Sequence, residues 1–270
     1  MSHRSTLLRH LYLAGLGVLT LLTLILRTLS LYRHLDPIGY FDDSALPTLT
    51  TIFLVWGIAL CIAYPFLLFK KGEIEALPPA TLADKIAALV AAIATAVATV
   101  LLTTTTSTTD QTLLTALGVL ALLCGTGYFI ARLKYFAGPT ALLSFGVILG
   151  AILLISLTYF DLTVPMNSPH KLSLHLCLLA CAVFLLYEMR LAVSTPFPRV
   201  LIMAASLCTL LTVSMSGSNL ILALRDTSGV LYLAGNLLSL AIGLCAAWRL
   251  IGLLLPAKSP SQEESEEVEA

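Results

Sequence analysis

Residues 81–106 read TLADKIAALVAAIATAVATVLLTTTT, and the fold follows from how this stretch is read. Its opening Thr81-Leu82-Ala83-Asp84, which follows Pro78-Pro79, has the form of a capping box and starts a helix. From Ile86 to Thr106 no residue is charged. About 20 such residues let a helix cross ~30 Å of hydrocarbon. The apolar residues run continuously instead of alternating, as a helix buried in lipid requires. Only helices or closed barrels satisfy their backbone groups there.

Seven further runs of this kind lie at about 10–32, 48–69, 112–131, 140–159, 171–188, 199–224 and 229–255. Composition agrees: charged residues are 11% of the 270, against roughly 25% in soluble domains, and the mean hydropathy is +0.96. A soluble fold cannot hide so much apolar surface behind so few charges, which excludes a soluble enzyme or a nucleic-acid binder. The expected fold is an all-α polytopic transmembrane bundle of eight spans over residues 1–255. Residues 256–270, with Glu263, Glu264, Glu266, Glu267 and Glu269, form an acidic tail too polar to bury a core. The first run is too long for a signal peptide and lacks a small-x-small cleavage site, so it reads as a retained anchor.

Other boundary signals agree. Gly138-Pro139, Ser168-Pro169 and Thr195-Pro196 place prolines near the first turns of spans 5, 6 and 7. Basic residues set the orientation. With the N terminus inside, the inner side collects eleven: Arg4, Arg9, Lys70, Lys71, Lys85, Arg132, Lys134, Arg190, Arg199, Arg249 and Lys258. The outer side collects four: Arg27, Arg33, Lys171 and Arg225. Both termini are therefore expected in the cytoplasm.

Tyr40-Phe41-Asp42 recurs as Tyr159-Phe160-Asp161, an offset that lays spans 2, 3 and 4 roughly onto 6, 7 and 8. Such a pattern fits a parallel 4+4 repeat, although a shared tripeptide also arises by chance. The segments around the two copies, LDPIGYFDDSALP (35–47) and TYFDLTVPMNSPHKLSLHLCLLACAVFLLYEMR (158–190), resemble stretches of a group of uncharacterised bacterial multi-pass membrane proteins. The resemblance covers about a fifth of the chain. It implies a bacterial plasma-membrane location and brings no catalytic residue with it.

Polar residues inside a bilayer are costly and usually face the bundle interior or a cavity. On span 6, His170, Ser173, Cys177, Cys181 and Glu188 fall within about 80° of one another at helical spacing. The stripe reads either as an inward-turned side, with Glu188 paired to Arg190 or Arg249, or as the wall of a ligand path. Cys177 and Cys181 have i, i+4 spacing, but His170 lies two turns away and His175 points elsewhere, so no metal is expected. All six cysteines lie in apolar runs and read as packing residues. On span 3, Thr95, Thr99, Thr103, Thr106 and Asp110 form a stripe whose hydroxyls can bond the carbonyl four residues back. Ala88, Ala92 and Ala96 form a small-residue seam opposite, and Gly146-x-x-x-Gly150 forms another on span 5, best explained by packing inside the monomer.

Span 7 carries Thr212-Val-Ser214-Met-Ser216-Gly217-Ser218-Asn219 in its outer half, where a loosened helix would free backbone groups to line a pocket. Asn236 on span 8 lies at similar depth. The expected ligand-binding set is Ser214, Ser216, Asn219, Asn236, Cys177, Cys181 and Glu188. Asp42, Asp161 and His170 are a second candidate, an extracytoplasmic recognition patch. No His-Glu-x-x-His, P-loop or midmembrane acidic pair is present, and nothing calls for a cofactor. These features point first to a transporter or transporter-like subunit for a small solute. A sensor or scaffold acting through protein contacts, with the acidic tail as a contact for a basic partner, is the alternative, and an intramembrane enzyme comes third.

Overall fold

The computed structural model describes residues 3–35, 40–68, 81–105, 111–134, 142–162, 164–165, 167–193, 197–223 and 229–255. The acidic tail, Pro78-Pro79, Thr106, Asp110, Gly138-Pro139 and Thr195-Pro196 lie outside these residues.

Eight helices carry the described chain. They are α1 (His3–Arg33), α2 (Ala45–Leu68), α3 (Leu82–Thr105), α4 (Thr112–Lys134), α5 (Ser144–Phe160), α6 (Pro169–Val193), α7 (Pro198–Ala223) and α8 (Val230–Leu254). Seven are long and apolar enough to cross a membrane, and α5 is a shorter apolar helix of 17 residues. The chain is an integral membrane protein built as a helical bundle.

Local chemistry sets the helix starts. Asp84 Oδ2 accepts from the Thr81 N–H at 3.0 Å, and Thr81 Oγ1 accepts from the Asp84 N–H at 3.2 Å, which closes the reciprocal cap expected for α3. Pro169 opens α6, and α7 begins at Pro198.

Side-chain pairs show that successive helices reverse direction. At one end, Tyr12 of α1 stacks on Tyr64 of α2 with ring centroids 3.8 Å apart and donates to Ser206 of α7 at 2.7 Å. At the other end, Ser30 of α1 meets Thr50 of α2 at 3.1 Å. The short α5 follows the same rule. Gly146 packs on Ala121 and Cys124 of α4, while residues 153 and 157 reach back to Gly118, so α5 runs antiparallel to α4. Thr158, near its end, meets His175 near the start of α6 at 2.8 Å. At ~1.5 Å per residue, α5 is about 26 Å long, close to a full crossing.

Helices α7 and α8 form the centre. The α7 span is 72% buried and α2 only 22%, which makes α2 peripheral. Helices α3, α4, α5 and α6 pack in sequence and α8 closes the arc against α3, while α1 and α2 flank α7. The outer surface is greasy, with Trp56, Leu67, Val100, Leu113 and Ile152 exposed, as a surface facing lipid requires.

The seams hold inside the monomer. A Cβ on Gly146 would sit 2.7 Å from Cys124 Cβ, and one on Gly150 would sit 2.6 Å from Leu122 Cδ2. Ala88 and Ala92 are buried, and so are Thr95 and Thr99, each of which donates to the carbonyl four residues back at 2.7 Å. The alanines therefore share the inward side with the threonines and do not lie opposite them, because seven positions turn a helix through nearly two full turns. The threonine stripe stops there, because Thr103 is exposed.

The packing matches a 4+4 arrangement only in part. Pairs α1–α2 and α5–α6 correspond, as do α3–α4 and α7–α8. Helix α6 also packs on α7, but among the described residues α2 and α3 have no comparable contact.

Candidate functional site

The C-terminal half of α7 is a distorted helix rather than a broken one. Residues Thr212–Ser216 form a π-turn, in which the Gly217 N–H bonds the Thr212 carbonyl. Hydroxyls line this turn and bond their own backbone: Thr212 Oγ1 donates to the Cys208 carbonyl at 2.7 Å, and Ser214 to Leu210. The turn wraps around Gly243 of α8, where an added Cβ would fall onto Thr212 Oγ1. Local π-turns often mark functional positions in helices.

A polar seam joins α6, α7 and α8 beside the turn. Ser216 and Ser239 hydroxyls lie 2.6 Å apart. Asn219 Nδ2 donates to Asn236 Oδ1 at 3.1 Å and to Ser173 Oγ at 3.3 Å, and Asn236 Nδ2 donates to the Tyr232 carbonyl at 2.8 Å. The Cys177 thiol points at the Leu211 carbonyl at 3.3 Å, and Cys181 at the Ser239 carbonyl at 3.6 Å. All of these side chains are buried. Five expected site residues, Ser216, Asn219, Asn236, Cys177 and Cys181, thus share one seam, whereas Ser214 is turned onto its own helix. Among the described residues no three His, Cys, Asp or Glu side chains converge as metal ligands.

Glu188 stands apart, at the opposite end of α6. It is fully buried and accepts from Arg132 at 2.9 and 3.1 Å, from Arg249 Nε at 2.8 Å and from Tyr128 at 3.2 Å. Asp84 lies 3.8 Å from Arg249 and balances the second cation. Of the two partners expected for Glu188, Arg249 is present. Arg190 instead lies over the Phe197 ring, 4.2 Å from its centroid. Arg132 and Tyr128 were not legible as partners, since nothing in α4 by itself says which side faces α6.

The three residues of the expected outer patch have separate surroundings. Asp161 lies beside Tyr232, and its carbonyl accepts from Lys171 Nζ at 2.7 Å. His170, in the first turn of α6, faces Arg27 and Asn219. Asp42 pairs with His34 Nδ1 at 2.9 Å. That hydrogen bond, with a smaller one from Ser44, holds the Asp42 carboxyl below its ordinary range. Because its folded value is depressed, the contribution of this contact is present above the ordinary carboxylate pKa and is lost as pH falls through the depressed value. In His34→Ala, carboxyl NMR should show Asp42 titrating at a higher pH than in the parent protein. An unchanged midpoint would show that the contact does not persist in solution.

Comparison with protein-family models, curated proteins and solved structures finds no match to this chain.

Proposed function

We propose that this integral membrane protein binds a small solute between α6, α7 and α8, reached from the outer side, and acts as a transporter or transporter-like subunit. One observation carries the reading: a seam of buried serines and asparagines meets at a π-turn in the most enclosed helix of the bundle. Hydroxyls and amides placed around a distorted helix can exchange bonds with one another for bonds to a ligand at small net cost. The chain resides in a bacterial cytoplasmic membrane with both termini inside, a reading supported by the eleven-to-four distribution of basic residues. Strong activity from a periplasmic reporter fused after Lys258 would overturn that orientation.

Proteoliposomes test the transport reading with radiolabelled glycerol, glucose, lactate and phosphate. Saturable uptake of at least one is expected over protein-free vesicles, reduced tenfold or more by Asn219→Leu or Ser216→Leu at unchanged protein content. No uptake of any probe by well-folded protein sinks the reading. A collapse of expression in both variants makes the seam structural.

One feature favours the sensor or scaffold alternative: most seam groups already bond one another, so the bundle closes without a ligand. Such a protein would take up no probe, and its seam variants would leave partner binding intact.

A further inference from the structure

Arg27 lies near the outer end of α1 and is 7% exposed. Its Nη2 makes one long contact to the Pro169 carbonyl, 3.4 Å, and its guanidinium carbon lies 5.9 Å from the centre of the Phe41 ring. Its Nε is buried with no hydrogen-bond partner. Among the described residues no carboxylate accompanies it, and Cys177 and His170 are the side chains that face it. Three other buried cations are compensated: Arg132 and Arg249 share Glu188, and Lys171 Nζ is held by the carbonyls of Asp161 and Val164. Arg27 is therefore a desolvated guanidinium with no counter-charge among the described residues. It sits beside the first turn of α6, where Ser168 already takes the Lys171 and Leu172 N–H groups and the helix dipole adds further positive potential. A charge in that setting is expensive and marks a pathway or a ligand partner.

A second orphan lies on the same side. Asn219 Oδ1 is buried with no hydrogen-bond partner at bonding distance, the His170 imidazole being the donor that faces it, although its Nδ2 is used twice. His170, partly exposed, faces both Asn219 and Arg27 and so links the seam to the outer surface. The two unsatisfied groups have complementary demands: Arg27 needs an anion, and Asn219 needs a donor.

We propose that Arg27 and Asn219 form the recognition end of a site for a small carboxylate that carries a hydroxyl or amino donor. The carboxylate pairs with the guanidinium, whose planar fork suits it, and the donor bonds Asn219 Oδ1. The assignment rests on the solute-binding reading and names its substrate class. A lipid phosphate fits the same guanidinium in chemistry, but Arg27 is enclosed by protein at 7% exposure, which favours a free anion.

Equilibrium binding tests this apart from transport. The purified full-length protein is titrated with lactate, acetate and glycerol, with thermal unfolding as the readout. Lactate is expected to raise the unfolding temperature saturably. Acetate, lacking the donor, should bind about tenfold more weakly, the value of one hydrogen bond, and glycerol should give no saturable shift. Arg27→Met should abolish the lactate response without lowering the unfolding temperature of ligand-free protein, because it removes an uncompensated charge. Asn219→Ala should equalise lactate and acetate. An absent lactate response in folded wild-type protein overturns the proposal, as does an undiminished response in Arg27→Met. Nanodiscs of phosphatidylcholine with and without phosphatidylglycerol separate the two sources: stabilisation by the anionic lipid alone makes the headgroup the occupant and also overturns it. Glycerol or glucose uptake without lactate binding would leave transport standing and remove only this assignment. Lactate binding without uptake of any probe would do the reverse.

Discussion

Glu188→Gln is expected to be the most destabilising single substitution in the bundle. The carboxylate accepts four hydrogen bonds, two from Arg132 and one each from Arg249 and Tyr128. All four residues are buried. With Asp84, the set carries two cations and two anions on α3, α4, α6 and α8. The amide leaves one positive charge uncompensated and turns an acceptor into a group that donates toward guanidinium. Breaking a buried ion pair from one side costs about 3–5 kcal/mol. Denaturant unfolding in detergent should show a loss of that size. Combining Glu188→Met with Arg132→Met should recover most of it, since Arg249 keeps Asp84 and the net charge returns to zero. A loss under about 1 kcal/mol, typical of solvent-exposed pairs, would mean that water reaches the cluster.

Gly243→Ala is the second. The π-turn brings Thr212 so close to α8 that a Cβ on Gly243 would overlap Thr212 Oγ1 and lie 2.8 Å from Thr212 Cβ. Thr212 is held by its bond to the Cys208 carbonyl and cannot swing aside freely. Overpacking of this kind costs about 1–3 kcal/mol. Thr212→Ala in the same chain should restore only part of the loss, because it removes the hydroxyl clash and leaves the Cβ contact. Full stability in the single variant would show that α7 and α8 can separate at this level. The seam would then be looser than the Ser216–Ser239 distance of 2.6 Å implies.

Several features are legible in the sequence alone. The Thr81–Asp84 cap depends on residues three apart and appears as expected. The Gly146 and Gly150 seam was readable because small residues at that spacing leave room for a neighbour, and α4 occupies it. The meeting of Asn236 with the α7 segment followed from similar depth in adjoining spans. The threonine stripe extends less far than its spacing suggests, since Thr103 faces outward. A hydroxyl that bonds its own backbone tolerates lipid, so it does not report which side faces inward.

The Arg132–Glu188 pair spans 56 positions, and the Arg27–Pro169 contact 142. No local pattern links them. The sequence by itself determined the number of greasy segments, their caps and their seams, because hydropathy and capping are properties of neighbouring residues. Only the tertiary structure decided which side of each helix looks inward, the π-turn, and which arginine keeps a counter-charge. The reason is the solvent: in water the apolar side must be the buried one, whereas in lipid both sides are apolar and only the helices packed alongside settle the difference.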